Sequence, residues 1–124
     1  MAKSKRSIAL IAHDNKKAEM VLWAKRHRNI LEKHDLVATR TTGTLLEAEA
    51  GLKLRKLKSG PLGGDLQIGA RVAEGKVDLV VFFWDPLSPH SHDVDIKALL
   101  RITAVYDIPI ACDRASADLM IDNF

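Results

Sequence analysis

The sequence contains a single cysteine, Cys112, so no disulfide can form within the chain, and a reducing, cytoplasmic setting is expected. Aromatic residues make up only 5% of the chain and do not alternate with its basic residues, which argues against a nucleic-acid partner. The longest apolar run, residues 77–84, is broken by Asp78 and is too short to cross a bilayer. The basic N-terminus lacks a long apolar stretch and a cleavage site, so we expect neither a signal peptide nor a membrane partner.

The composition that remains is typical of a globular protein, with 47% hydrophobic and 28% charged residues in 124. This length predicts one domain over residues 1–124. The formal net charge is +3, carried by several lysine and arginine clusters. Those clusters are interpreted first as solvated helix faces, and otherwise as a means of attracting an anionic small molecule.

Short apolar segments alternate with segments of helical periodicity. Strands are predicted over residues 7–12, 36–39, 53–57, 77–84 and 108–112. Helices are predicted over residues 16–34, 45–50, 66–74, from 93 or 95 to 106, and over 115–121. Asp14 or Asn15 is expected to cap the first helix. Residues 41–44 are predicted to form a turn. This alternation predicts an α/β fold: a three-layer α/β/α arrangement around a mostly parallel, Rossmann-like sheet.

Polar side chains follow the predicted strands, and ligands of such sheets bind beyond the carboxyl ends of the strands. A phosphate dianion would suit the cation of Lys17, the hydroxyls of Thr39, Thr41 and Thr42, and the backbone N–H groups of Ser59 and Gly60. The glycine-rich loop at 59–65 joins this edge if residues 53–57 form a strand parallel to the others. An anion site is therefore predicted there.

The same edge carries carboxylates that a phosphate site does not need. Asp65 is interpreted as a base that removes a proton next to a carbonyl group, with His92 as the donor to the resulting oxyanion. The alternative is that Asp65 caps the helix that follows it. Asp85, at a strand end and before a proline, has the alternative role of a turn former.

The stretch from His90 to Asp95 also allows a metal hypothesis, with His90, His92, Asp93 and Asp95 as ligands. Its spacing matches no established metal motif, so no metal is predicted. The preferred interpretations are an exposed loop position for His90 and a helix cap for Asp93.

Five segments occur in an order that resembles the methylglyoxal synthase family: AHD at 12–14, TTG at 41–43, SGPLGGDLQIGA at 59–70, FFWDPL at 82–87 and HDVDIKALLR at 92–101. The resemblance implies a carbon–oxygen lyase that converts dihydroxyacetone phosphate into methylglyoxal and inorganic phosphate. It further implies a methylglyoxal synthase-like fold, no cofactor, a cytoplasmic location, and a homohexamer inhibited by phosphate.

Position by position, the resemblance implies that Asp65 is the catalytic base and that His92 and Asp95 are its partners at the substrate oxygens. It places His13, Asp14 and Asp85 in the same substrate-binding site. It assigns binding of the phosphate group to six residues: Lys17, Thr39, Thr41, Thr42, Ser59 and Gly60. The sequence departs from the family pattern at Arg40, where a glycine is common.

Two other functions stay open at this point. The fold also resembles the allosteric domain of carbamoyl phosphate synthetase, which implies a non-catalytic module that binds small effectors. A metal-dependent hydrolase using His90, His92 and Asp93 is the third hypothesis.

Overall fold

The structure, a computed structural model, describes residues 5–88 and 93–124. Five strands form one sheet in the order β3-β2-β1-β4-β5, and every neighbouring pair is parallel. The strands are β1 Ser7–Ala12, β2 Asp35–Ala38, β3 Arg55–Lys56, β4 Leu79–Phe83 and β5 Ile110–Ala111. The predicted parallel, Rossmann-like sheet is confirmed. β2 begins one residue earlier than predicted, and β3, β4 and β5 are shorter than the apolar pattern suggested.

Helices cover both faces of the sheet. They are α1 Lys17–Arg26, α2 Arg28–Leu31, α3 Arg40–Ala50, α4 Gly64–Ala73, α5 Asp93–Val105 and α6 Arg114–Asp122. One buried cluster joins the sheet to α1, α3 and α6, and a second joins its other face to α4 and α5. This is the three-layer arrangement that alternating strands and helices predict.

The central strands are apolar because both of their faces are covered. All five residues of β4 are buried, as are the last five of β1. Trp23 is buried against the ring of Phe83, whereas Trp84 is only half-buried.

Several predicted helix boundaries are wrong. The helix predicted over 16–34 is divided at His27, whose Nε2 lies 2.8 Å from Oδ1 of Asp118 in α6. Neither Asp14 nor Asn15 caps α1, because both lie in a 3-10 turn, Asp14–Lys16, that precedes it. The turn predicted at 41–44 is instead the start of α3, which follows β2 after one residue and begins at Arg40.

None of the helices within residues 5–88 and 93–124 combines the length and the apolar character needed to cross a bilayer.

Candidate active site

A cavity of about 410 Å³ opens at the carboxyl edge of the sheet, where the strand order changes direction around β1. The chain turns from β1 towards β2 on one side, while β4 lies on the other, so the loops that follow them diverge. Nine of the predicted site residues line this cavity: His13, Asp14, Lys17, Thr39, Thr41, Ser59, Gly60, Asp65 and Asp85. The predicted grouping at one edge is therefore confirmed for these residues.

The glycine-rich loop reaches the cavity because β3 runs parallel to β2, which was the condition set by the sequence. Residues Gly60–Leu62 form a 3-10 turn that ends at Gly63, where φ is 107° and favours glycine. At Gly64 a Cβ atom would lie 2.0 Å from the carbonyl oxygen of Lys58. Only glycine permits this close approach, which places the start of α4 directly against the preceding loop.

Asp65 is the second residue of α4, and its side chain is 2% exposed while still bordering the cavity. The N-cap position belongs to Gly63, so the interpretation of Asp65 as a helix cap is wrong. Its place in the first turn directs the partial positive charge of the helix N-terminus towards the carboxylate. Asp65 is thus a buried carboxylate at the wall of a cavity.

Lys17, the first residue of α1, turns back over the end of β1. Its Nζ donates to the carbonyl oxygen of Ala12 at 3.0 Å and to Oδ1 of Asp14 at 2.7 Å. The Lys17 side chain is mostly covered, whereas that of Asp14 is 96% exposed. The ammonium group is therefore fixed beside the cavity by one backbone acceptor and one solvated carboxylate.

The threonines at the start of α3 divide into two groups. Thr39 and Thr41 line the cavity, and Thr39 is the N-cap residue, without a side-chain cap bond. Thr42 is buried away from the lining, and its Oγ1 accepts the N–H of Ala12 at 3.2 Å. Thr42 therefore holds α3 against β1, rather than bordering the cavity as predicted.

His13 and Asp85 connect the loops that follow β1 and β4. The backbone N–H of Asp85 donates to Nδ1 of His13 at 3.0 Å, so this nitrogen is an acceptor and the ring hydrogen of the neutral form lies on Nε2. The Asp85 carboxylate accepts from Asn15, Ser88 and the N–H of Leu87. These hydrogen bonds, led by those from Asn15 and Ser88, lower the pKa of Asp85 from its usual 3.8 to about 2.

The turn-former interpretation of Asp85 is confirmed by its bond to Leu87, although the residue also lines the cavity. From the sequence, Asn15 is expected only as a helix cap, and Ser88 has no expected role. Only the position of Asn15, two residues after His13, could have suggested a part in the site.

Asp95 lies in the first turn of α5, half-buried, and is absent from the cavity lining. His90 and His92 lie outside the described residues, so their predicted roles stay predictions. Arg40 is exposed at the first position of α3. Within residues 5–88 and 93–124, no three His, Cys, Asp or Glu side chains come close enough together to hold a metal ion.

A parallel α/β sheet with a buried carboxylate and cationic and hydroxyl groups in its crevice defines an α/β protein built to bind a small molecule. Residues 19–112 match the family model described as the MGS-like domain. The methylglyoxal synthase of Cellvibrio japonicus is 58% identical over 116 residues, which cover 94% of this chain and 75% of that protein. The chain therefore belongs to the methylglyoxal synthase family.

Two further comparisons agree. The methylglyoxal synthase of Saccharophagus degradans is 59% identical over 120 residues, covering 97% of this chain and 78% of that protein. The crystal structure of methylglyoxal synthase from Elizabethkingia anophelis superposes with a TM-score of 0.89 at 46% identity, covering 94% of this chain and 77% of that one.

Proposed function

We propose that this protein is a methylglyoxal synthase, a lyase that converts dihydroxyacetone phosphate into methylglyoxal and inorganic phosphate. The observation that carries the proposal is the pairing, in one cavity, of the buried Asp65 carboxylate with donors suited to a phosphate group. A module that only binds phosphate has no use for a buried carboxylate beside its anion, because the two charges repel. The names of the relatives support the same conclusion.

The phosphate end of the substrate would lie against Lys17, Thr39, Thr41, Ser59 and Gly60, which line the same cavity. The Lys17 ammonium supplies the positive charge, and the N–H groups in the first turn of α3 have no intrahelical acceptor. Both features attract an anion. Thr42 would contribute indirectly, by fixing α3 on β1.

The carbon end would face Asp65, which removes a proton from the hydroxymethyl carbon to give an enediolate. The electron pair of the broken C–H bond forms the double bond of the enediolate. As the hydroxyl on the former hydroxymethyl carbon loses its proton and becomes the aldehyde, the double bond shifts and phosphate leaves from the carbon on the other side of the carbonyl group. The resulting enol takes up a proton at its terminal carbon and becomes methylglyoxal. Substrate and products balance without an oxidant or a reductant, so no redox cofactor is required.

Oxygen atoms that gain negative charge in this sequence need hydrogen-bond donors. His13 lines the cavity and carries its ring hydrogen on Nε2 when neutral, which suits this task. His92 and Asp95 are proposed as further partners at the substrate oxygens, on the basis of the family resemblance. Asp14 would act at the cavity through its ion pair with Lys17.

The direct test is an assay of the purified protein with dihydroxyacetone phosphate and a metal chelator, following methylglyoxal and phosphate separately. Equal amounts of both products are expected. Phosphate binding without turnover would support the effector-binding module instead. Turnover that disappears with the chelator would support a metal-dependent enzyme.

We further propose a single domain over residues 1–124, a cytoplasmic location and a homohexamer. The support for assembly is two exposed apolar side chains: Leu62, in the turn before α4, is 74% exposed, and Leu66, in α4, is 53% exposed and lines a groove between α4 and α5. A second copy of the chain would cover it. Light scattering coupled to gel filtration measures the mass, and a monomer at micromolar concentration would contradict the hexamer.

A further inference from the structure

We propose that Asn15 is a positioning residue that keeps His13 in one neutral form, with its hydrogen on Nε2, by holding the Asp85 loop in place. The inference rests on the proposed function, because it concerns how His13 is prepared to act on the substrate. Asn15 and His13 both belong to the loop after β1, whereas Asp85 belongs to the loop after β4.

These two loops leave the sheet side by side. Ala12 is paired with Phe83 at the ends of β1 and β4, and the N–H of His13 then donates to the carbonyl oxygen of Phe83 at 3.1 Å. The ladder therefore continues for one residue beyond the strands. It fixes the backbone of His13 but leaves the loop after β4 to be held by side chains.

The carboxylate of Asp85 holds that loop. Its Oδ2 accepts from Nδ2 of Asn15 at 2.9 Å and from Oγ of Ser88 at 2.7 Å, and its Oδ1 accepts from the N–H of Leu87 at 3.1 Å. Ser88 and Leu87 belong to the same loop as Asp85. The bond from Asn15 is the one of the three that joins this loop to the loop carrying His13.

The consequence falls on the His13 ring. The backbone N–H of Asp85 donates to Nδ1, so a hydrogen on Nδ1 would face another N–H and be repelled. The Phe82 ring packs nearly perpendicular to the imidazole, with the two ring centroids 5.2 Å apart, and this contact restricts the plane of the imidazole. The ring is therefore presented as a neutral donor through Nε2, the form that suits stabilisation of a developing oxyanion.

Replacing Asn15 with leucine keeps a similar volume and removes the donor. We expect the His13 ring to populate both neutral tautomers and kcat to fall by about 10- to 100-fold with little change in KM, because the substrate still binds but meets a less ordered donor. Asn15→Ala provides a second, smaller variant. Asn29→Leu, on an exposed position of α2, is the matched control and should leave both readouts unchanged.

The measurement is a ¹H–¹⁵N spectrum of the histidine rings in the labelled full-length protein between about pH 6 and 8, where histidine changes form, with His13 assigned from His13→Gln. A single Nε2–H form in the unsubstituted protein and a mixture in both Asn15 variants support the inference. An unchanged tautomer in the variants, whether or not kcat falls, overturns it. Absence of turnover in the unsubstituted protein would refute the proposed function, while the spectra would still decide the role of Asn15.

Discussion

Polar side chains are exposed at the edge of the sheet where the strands begin, the amino edge, and buried at the edge where the strands end, the carboxyl edge. At the amino edge, Lys5 and Asp35 form an ion pair of 3.1 Å with side chains 62% and 70% exposed. At the carboxyl edge, polar side chains are buried. Of the polar or charged residues with less than a tenth of their surface exposed in the described chain, all but Thr103 lie there: His13, Thr39, Thr42, Asp65 and Asp85.

Burial of a polar group costs free energy unless hydrogen bonds or charges compensate it, whereas an exposed ion pair costs and contributes little. At the carboxyl edge, several polar side chains are buried around one cavity despite this cost in free energy. A fold gains nothing in stability from such an arrangement compared with apolar packing. The buried polar groups therefore indicate that the functional site lies at the carboxyl edge. Equivalent substitutions made at the two edges test this conclusion.

The largest expected difference is between two aspartates, one at each edge. Asp65→Asn should lower kcat for methylglyoxal formation by about 10³-fold, because the amide cannot accept the proton from the substrate carbon. Asp35→Asn changes the same chemical group at the amino edge and should alter kcat by less than about twofold. Steady-state kinetics with dihydroxyacetone phosphate measures both.

Circular dichroism and thermal melting of Asp65→Asn serve as the control, since the substitution preserves shape and should preserve the fold. Retention of near-full activity by Asp65→Asn would remove this carboxylate from the mechanism. Equal losses in the two variants would show that the contrast between the edges has no functional meaning.

The next effect concerns two glycines in α4, one at the cavity and one away from it. A Cβ on Gly64 would lie 2.0 Å from the Lys58 carbonyl oxygen and 2.9 Å from Cγ2 of Thr39, so Gly64→Ala must displace the loop or the helix. We expect a loss of about 1–3 kcal/mol in the free energy of unfolding, and a fall in activity, since Asp65 moves with the helix.

Gly69→Ala is the control within the same helix. Its Cβ would meet only Cγ2 of Ile102 at 3.7 Å, an ordinary contact, so stability should stay equal or rise by up to about 1 kcal/mol. Urea denaturation measures both variants. If Gly64→Ala is as stable and active as Gly69→Ala, the close approach at Gly64 is not required.

Most of the sheet could be predicted from the sequence, because runs such as residues 7–12 and 77–84 are apolar for a length that suits a covered parallel strand. The grouping of the site followed from topology, since the carboxyl ends of parallel strands meet at one edge. Helix starts were harder to predict. Thr41–Thr44 has the composition of a turn, but the structure continues it as helix, with Thr44 Oγ1 donating to the Arg40 carbonyl oxygen.

The role of Asn15 could not be predicted from the sequence, for a physical reason. Its partner, Asp85, is 70 residues away, and the contact depends on the loops after β1 and β4 leaving the sheet together. Periodicity reports which face of an element is buried, but not which loop side chains meet. For Asp65, a local rule favoured a helix cap, and the conformation of Gly63 decided against it.

A smaller effect concerns the dependence of stability on pH at the carboxyl edge. The pKa of Asp85 is lowered from 3.8 to about 2 in the folded protein by its hydrogen bonds with Asn15, Ser88 and Leu87. Between these values the unfolded chain binds more protons, so the contribution of Asp85 to stability is complete above about pH 4 and is lost as the pH falls through about 2.

Asp85→Asn should therefore have a lower Tm than the unsubstituted protein near pH 5, and the two values should converge towards pH 2. A difference in Tm that stays constant across this range would contradict the ionised, hydrogen-bonded carboxylate.

The smallest effect is expected at the amino edge, where the comparison predicts almost nothing. Lys5→Ala removes the ion pair with Asp35, whose two side chains are largely solvated, so the free energy of unfolding should change by less than about 0.5 kcal/mol. Added salt should reduce even this change, because exposed charges are screened. KM for dihydroxyacetone phosphate should not move, since Lys5 lies at the opposite edge from Lys17. Urea denaturation at low and high salt, together with KM, measures this. A KM raised several-fold by Lys5→Ala would mean that the amino edge also contributes to binding of the anionic substrate. That result would contradict the assignment of the functional site to the carboxyl edge alone.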